Sequence, residues 1–247
     1  MTSAPALILA STSRYRQELL GRLRLPFEAL APGVDEDSRA GEAPEARAQR
    51  LSLAKAEAVA QGHPGEVVIG ADQVASCEGR ILDKPGDAAT AREQLRAQSG
   101  REVRFYSAVA VLCHQRGFRA EFIDLTTVKL RALSEAAISA YLEADQPYDC
   151  AGSLRSERLG IALCERIDSH DPTGLIGLPL IRLSAALREL GLRRMFLHAH
   201  SVNFDWPQGG QVSVSAPLPD DLKAVIDALG ARAALKAGRS RNRAARR

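Results

Sequence analysis

Six side chains near turns and strand ends in the N-terminal part of the chain are of types that do phosphate chemistry together: Arg14 and Arg16 after a serine-rich turn, then Glu36, Lys55, Asp72 and Lys84. A triphosphate needs several cations and backbone donors for its charge. It also needs carboxylates that bind Mg²⁺, and one that orients and deprotonates water. Each type is present. Taken singly, Arg14, Arg16 and Lys55 read more readily as charges on a solvated helix face. Asp72 follows Val-Val-Ile-Gly-Ala, so its carboxylate is partly buried and serves either a cap or a site. Other constellations are weaker. The chain has no GxGxxG and no GxxxxGK[ST], which argues against a dinucleotide site or a P-loop. Of the histidines only His198 and His200 are close enough to suggest a metal, and chance accounts for them. Ser153 and Ser156 flank Arg155 without a nearby histidine and read as turn residues.

These side chains need elements to hold them. Ala6–Ala10 is a short apolar run that predicts a buried strand, followed by Ser11-Thr12-Ser13 and a helical pattern over RYRQELLGRL. Ser13 is a candidate N-cap, and the turn would offer free backbone N–H groups to an anion. A helix is expected over Ala46–Ala60. A second buried strand, Val67–Ile69, ends in Gly70-Ala71-Asp72-Gln73, which puts Asp72 beyond a strand's carboxyl end, where ligands sit in open α/β sheets. Further expectations are a helix over about Ala88–Gln98 and strands over Val103–Cys113 and Glu121–Leu130 that pair antiparallel. A helix capped by Ser134, a strand over Gly160–Ile167 and a helix over Leu175–Leu190 complete the list. The body closes at about residue 195. Residues 196–247 form an atypical extension, partly disordered, with a short helix near 220–235.

At 247 residues, 45% apolar and 26% charged, the composition is that of a globular mixed α/β protein. The net charge of +3 hides an asymmetry, since residues 231–247 carry seven basic side chains and no acidic one, and the remainder is at −4. Nucleic-acid binding is therefore not expected, except through that basic tail. Cys77, Cys113, Cys150 and Cys164 have neither metal nor disulfide spacing and read as reduced thiols of a cytoplasmic protein. No apolar run approaches the ~20 residues of a membrane-spanning helix.

In order, the segments ILASTSRYRQELL, VDE, LSLAKA, IGADQV, LDKPG, YDCAGSLRSE and DPTGLIGLP resemble the Maf family of nucleoside-triphosphate pyrophosphatases over about residues 6–192. The resemblance implies an elongated mixed α/β sheet of the Maf/inosine-triphosphatase type, with flanking helices and a central cleft. It also implies hydrolysis between the α and β phosphates, a divalent cation (Mg²⁺ or Mn²⁺) and a homodimer. It makes Asp72 the proton acceptor, Ser11, Arg16, Lys55 and Lys84 the phosphate site, and Glu36 with Asp72 the metal site. Within the family, Ser13-Arg14-Tyr15-Arg16, Gly70-Ala71-Asp72-Gln73 and the stretch Ala151–Glu157 are similar to the 7-methyl-GTP branch, whose pattern is Ser-Pro-Trp-Arg, Gly-Ser-Asp-Gln and Ala-Gly-Ser-Phe-Lys-Ser-Glu. That likeness makes Tyr15, Gln73 and Glu157 the specificity residues: Tyr15 would stack on a cationic methylated guanine, and Glu157 would accept from the guanine N1–H and N2–H edge. The departures include Arg14 for Pro, Tyr15 for Trp, Ala71 for Ser and Arg155 for Lys. The alternatives are the same reaction on dTTP or UTP, and a nucleotide-binding, septum-regulating module with incidental catalysis.

Overall fold

The computed structural model describes residues 6–192 throughout and, beyond them, the backbone of 201–205 and 211–215. The chain divides into two compact units, Met1–Arg194 and Met195–Arg247.

The first unit is built on a mixed seven-stranded sheet in the order β2-β1-β3-β5-β6-β7, with β4 also paired to β3. β1 (Leu7–Ala10) lies parallel to both β2 (Phe27–Ala29) and β3 (Val67–Cys77). β4 (Arg80–Leu82), β5 (Glu102–Cys113), β6 (Phe118–Leu130) and β7 (Cys164–Asp168) extend the sheet antiparallel. β3 is buried along almost its whole length, as expected of a strand covered on both faces.

The odd-numbered residues Val67, Ile69 and Ala71 pack with Leu19 and Leu20 of α1 (Arg14–Gly21) and Leu183 and Leu187 of α5 (Leu180–Glu189). Farther along the same face, Ala75 and Cys77 pack with Leu95 of α3 (Ala88–Gln98) and Ile138 and Tyr141 of α4 (Glu135–Asp145). The even-numbered face carries α2 (Pro44–Ala60), with Val68 against Ala56 and Val59. α2 crosses β3 so closely at Gly70 that a Cβ there would stand 2.1 Å from the carbonyl oxygen of Ser52. Only glycine fits, and the next turn of α2 brings Lys55 onto the strand.

Several expectations need correction. β3 does not end at Ile69 but runs through Asp72 to Cys77, because the Gly-Ala-Asp-Gln segment keeps an unbroken antiparallel ladder with β5. Its parallel partner does end there: β1 pairs up to Gly70 and β4 takes over at Ala75, so Ala71–Val74 have β5 on one side and a gap in the sheet on the other. Ser13 occupies the N-cap position of α1, but its hydroxyl makes no capping bond; Ser11 Oγ accepts from the Ser13 N–H instead, at 3.2 Å. Residues 159–163 are a 3₁₀ segment, which delays β7 to Cys164. The helix expected from Leu175 starts at Leu180, because Asp171 and Thr173 fold the preceding residues into a turn and accept from the Ile181 and Leu180 N–H groups at 2.6 and 2.9 Å. Ser134 caps α4 as expected, accepting from the Ala137 N–H.

In the second unit, β8 (Ser201–Asp205) and β9 (Gln211–Ser215) form an antiparallel pair with Ser201 opposite Ser215, a pairing not expected from the sequence. The helix expected near 220–235 and the basic tail lie outside the described residues. Among the described residues, no helix is long and apolar enough to cross a membrane.

Candidate active site

The gap between β1 and β4 opens into a cleft of about 600 Å³. Its walls include Arg14 and the nine residues to which the resemblance assigns a role: Ser11, Tyr15, Arg16, Glu36, Lys55, Asp72, Gln73, Lys84 and Glu157. They come from the elements that border the gap, Lys55 from within α2. The turn after β1 supplies Ser11 and the first turn of α1. The loop before α2 supplies Glu36, the turn after β4 supplies Lys84, and β3 itself supplies Asp72 and Gln73.

Asp72 and Gln73 are neighbours on a strand, so they point to opposite faces. On the α2 face, Lys55 Nζ donates to Asp72 Oδ1 at 2.8 Å and stands 2.8 Å from Glu36 Oε1. Lys55 and Asp72 are buried, while Glu36 is more than half exposed. Burial pulls the Glu36 carboxyl upward, but the hydrogen bond and charge of Lys55, with Lys84 and Arg16, hold it below its ordinary value. Burial, opposed by Asp72 and Glu36, pulls the Arg16 guanidinium down. Arg16 donates to the Gly177 carbonyl at 3.2 Å and to Ser11 Oγ at 3.4 Å, which ties α1 to the turn before α5.

On the other face, the Gln73 amide nitrogen lies 2.9–3.1 Å from Ser107 Oγ and the carbonyl oxygens of Gly174 and Leu175. Two backbone carbonyls at that atom require the NH₂ there, which leaves the side-chain oxygen as the group Gln73 can offer a ligand. Glu157 stands exposed on the rim. Tyr15 is the most constrained member of this end. Its hydroxyl lies 3.1 Å from Asp149 and accepts from Arg14 at 2.9 Å, and its ring has the guanidinium carbons of Arg14 and Arg155 at 4.9 and 5.6 Å from its centroid. Burial pushes the Tyr15 phenol up to about 12, with Arg14 opposing and Cys150 adding to the shift.

Among the lining residues that the sequence does not single out are Arg47 and Asp149. Arg47 stands one and two turns before Leu51 and Lys55 on the same stripe of α2; it donates to Asp83 at 2.9 Å and to the Glu36 carbonyl at 3.4 Å, so it ties together the loops that carry Lys84 and Glu36. Its spacing from Lys55 is the signal that could have found it. Asp149 sits one residue before Cys150, inside a segment already singled out for its other members, and nothing in its neighbours marks it as facing the cleft.

The chemistry of the cleft is thus divided. Its α2 side gathers buried charge of both signs, and its far side presents oxygen acceptors and an aromatic ring. The profile described as Maf-like protein matches residues 6–190, three quarters of the chain. The chain belongs to the Maf family. Maf relatives include proteins named 7-methyl-GTP pyrophosphatase from Bordetella avium, 57% identical over 78% of this chain and 96% of that one, and from Albidiferax ferrireducens, 53% identical over 76% and 94%. The protein of the same name from Xanthomonas oryzae pv. oryzae is 54% identical over 76% of this chain and 97% of its own. Among solved structures, the Ham1 protein of Staphylococcus aureus aligns with 14% identity and a TM-score of 0.38 over 51% of this chain and 72% of that one.

Proposed function

We propose that this Maf protein is a nucleoside-triphosphate pyrophosphatase that converts 7-methyl-GTP to 7-methyl-GMP and pyrophosphate, and so keeps a modified nucleotide out of RNA. The observation that carries the reading is the Lys55–Asp72–Glu36 cluster at the edge of the cleft, with acceptors at its far side. Arg16, Lys55 and Lys84 are the cations facing the phosphates, and the first-turn N–H groups of α1 add donors. Asp72 is the general base. One of its oxygens is held by Lys55, and the other takes the proton of a water that attacks the α phosphorus as the bond to the β phosphate breaks and pyrophosphate leaves. Lys55 and Arg16 stabilise the charge that grows on the leaving group.

Glu36 and Asp72 supply hard carboxylate oxygens of the kind that Mg²⁺ or Mn²⁺ takes, converging on one ammonium. No group of three or more His, Cys, Asp or Glu side chains able to hold a metal occurs among the described residues, so the remaining ligands would be phosphate oxygens and water. The charge balance supports such an ion: three cations against two carboxylates do not offset the roughly four negative charges of a triphosphate. Bound there, a divalent cation would neutralise phosphate charge and make the attacking water more acidic.

The base preference rests on the acceptors. The Gln73 oxygen and the Glu157 carboxylate suit the N1–H and N2–H donors of guanine, whereas the carbonyls flanking N3–H in uracil or thymine would meet oxygen with oxygen. We assign the whole activity to residues 1–195, with 196–247 an addition, since every named site residue lies between Ser11 and Glu157. The protein acts in the cytoplasm on this reading, and its four cysteines, all unpaired, suit that compartment. The test is pyrophosphate release by the purified protein with Mg²⁺ across 7-methyl-GTP, GTP, dTTP, UTP and CTP. Preference for 7-methyl-GTP is expected. Preference for dTTP or UTP would overturn the base assignment, and no release from any would overturn the enzyme.

A further inference from the structure

Three of the departures from the 7-methyl-GTP pattern, Arg14, Tyr15 and Arg155, meet in one cluster with Asp149 at its centre. Arg155 is buried and anchored, donating to the Asp145 carbonyl at 2.7 Å and to Asp149 Oδ1 at 2.8 Å. The bond to Arg155 fixes Asp149, whose two oxygens lie 3.2 and 3.1 Å from the Tyr15 hydroxyl. Arg14, by contrast, is largely exposed. Its guanidinium lies 4.9 Å from the centre of the Tyr15 ring and 3.9 Å from Asp149 Oδ2, and among the described residues it is held otherwise only by the Tyr15 hydroxyl. A planar, delocalised cation therefore already rests against the ring beside a carboxylate, inside the cleft.

We propose that Tyr15 and Asp149 form a subsite for a planar cation, that the Arg14 guanidinium fills it while no nucleotide is bound, and that Asp149 makes it selective for a positively charged base. The inference rests on the reading that the cleft takes a 7-methylated purine nucleotide and names what sets its preference for the methylated ring. Guanine and 7-methylguanine offer the same edge to Gln73 and Glu157; they differ in charge. A neutral ring gains only stacking on Tyr15. Either must displace Arg14 from the ring, but only the cationic one gains the quadrupole of the ring and the field of Asp149, and only it is repelled by the displaced guanidinium. Arg155 is too deeply held to leave, so it acts as a positioning residue for Asp149. Arg14 acts as a competitor of like charge.

The test compares the wild type with Arg14→Ala and Asp149→Asn at mildly acidic pH, where the methylated ring keeps its charge. Two ratios are read: KM for GTP over KM for 7-methyl-GTP, and, without turnover, the calorimetric Kd of GMP over that of 7-methyl-GMP. Arg14→Ala removes an exposed side chain and should raise both ratios about two- to fivefold, the range of one exposed cation–π contact. Asp149→Asn should lower both by about tenfold. A purely structural role for Asp149 would weaken the methylated and unmethylated ligands equally. Unchanged ratios in Arg14→Ala, or an equal loss for both ligands in Asp149→Asn, overturn the subsite. Failure of the wild type to release pyrophosphate would overturn the enzymatic reading alone, because the monophosphate ratios test the subsite without catalysis.

Discussion

Asp72→Asn separates chemistry from folding. Lys55 Nζ lies 2.8 Å from Asp72 Oδ1, a gross attraction of about 6 kcal/mol at the effective dielectric suited to protein sites, most of it offset by the cost of burying both charges. Asparagine keeps the shape and an acceptor oxygen for Nζ, and Glu36 remains at 2.8 Å as a full counter-charge. The buried ammonium is therefore not orphaned, and the expected loss of stability is only about 1–3 kcal/mol. The catalytic loss is larger. An amide cannot take a proton from water, and general-base catalysis by a positioned carboxylate contributes about 100- to 10,000-fold, which is roughly 3–5 kcal/mol of barrier. The assay is steady-state pyrophosphate release from 7-methyl-GTP, paired with thermal melting and with Kd for the product monophosphate. The expected outcome is kcat down by at least about 100-fold, with a folded protein and product affinity within a few-fold of wild type. A variant that keeps turnover within about tenfold of wild type while folded would show that another group activates the water.

Tyr141→Phe should cost about 1–3 kcal/mol in denaturant melts, because the buried Tyr141 hydroxyl donates to the Ser153 carbonyl and accepts from the Arg155 N–H, and both backbone groups lose their partner. A melt that matches wild type would remove this hydroxyl from the support of the Arg155 segment. Asp124→Asn should stabilise the protein at neutral pH. Burial first, then Asp171, raises the Asp124 carboxyl, and its Oδ2 is buried without a hydrogen-bond partner among the described residues. A raised carboxyl favours the fold below its unfolded pKa near 4 and loses that benefit as pH rises through its folded value. The gain from asparagine, on the order of 1 kcal/mol at pH 7, should thus shrink toward zero on acidification below about pH 4, and a gain that persists there would refute the charge argument. Truncation after Arg194 should leave pyrophosphate release within about twofold of the full chain, and loss of the activity would place part of the site in 195–247.

Much of the site is legible in the sequence because its members sit at punctuation. Ser11 follows a five-residue apolar run, Lys84 lies in a Lys-Pro-Gly turn, and Lys55 falls on the stripe of a regular helix. α3 matches the expectation of about Ala88–Gln98, and Asp87 caps it by accepting from the Thr90 N–H. β3 does not. Its Gly-Ala-Asp-Gln centre has little strand propensity, and only the pairing of Asp72 with Ala108 and Gln73 with Ser107 on β5 keeps it extended. A long-range partner of that kind leaves no local trace. The same holds for Asp149, which enters the site because a buried arginine six residues later turns its carboxylate toward Tyr15.

The uninterrupted course of β3 has an evolutionary consequence. On the proposed assignment, consecutive residues of one strand divide the labour, with bond breaking on the side of α2 and the reading of the base on the side of α5. A substitution at Gln73, or in the turn that surrounds its amide, can retarget the enzyme without moving Asp72. An insertion or deletion of one residue between Gly70 and Gln73 would exchange the two assignments and destroy both. A lineage built on this strand can explore new nucleotides by point replacement, while changes in the strand's length are closed to it.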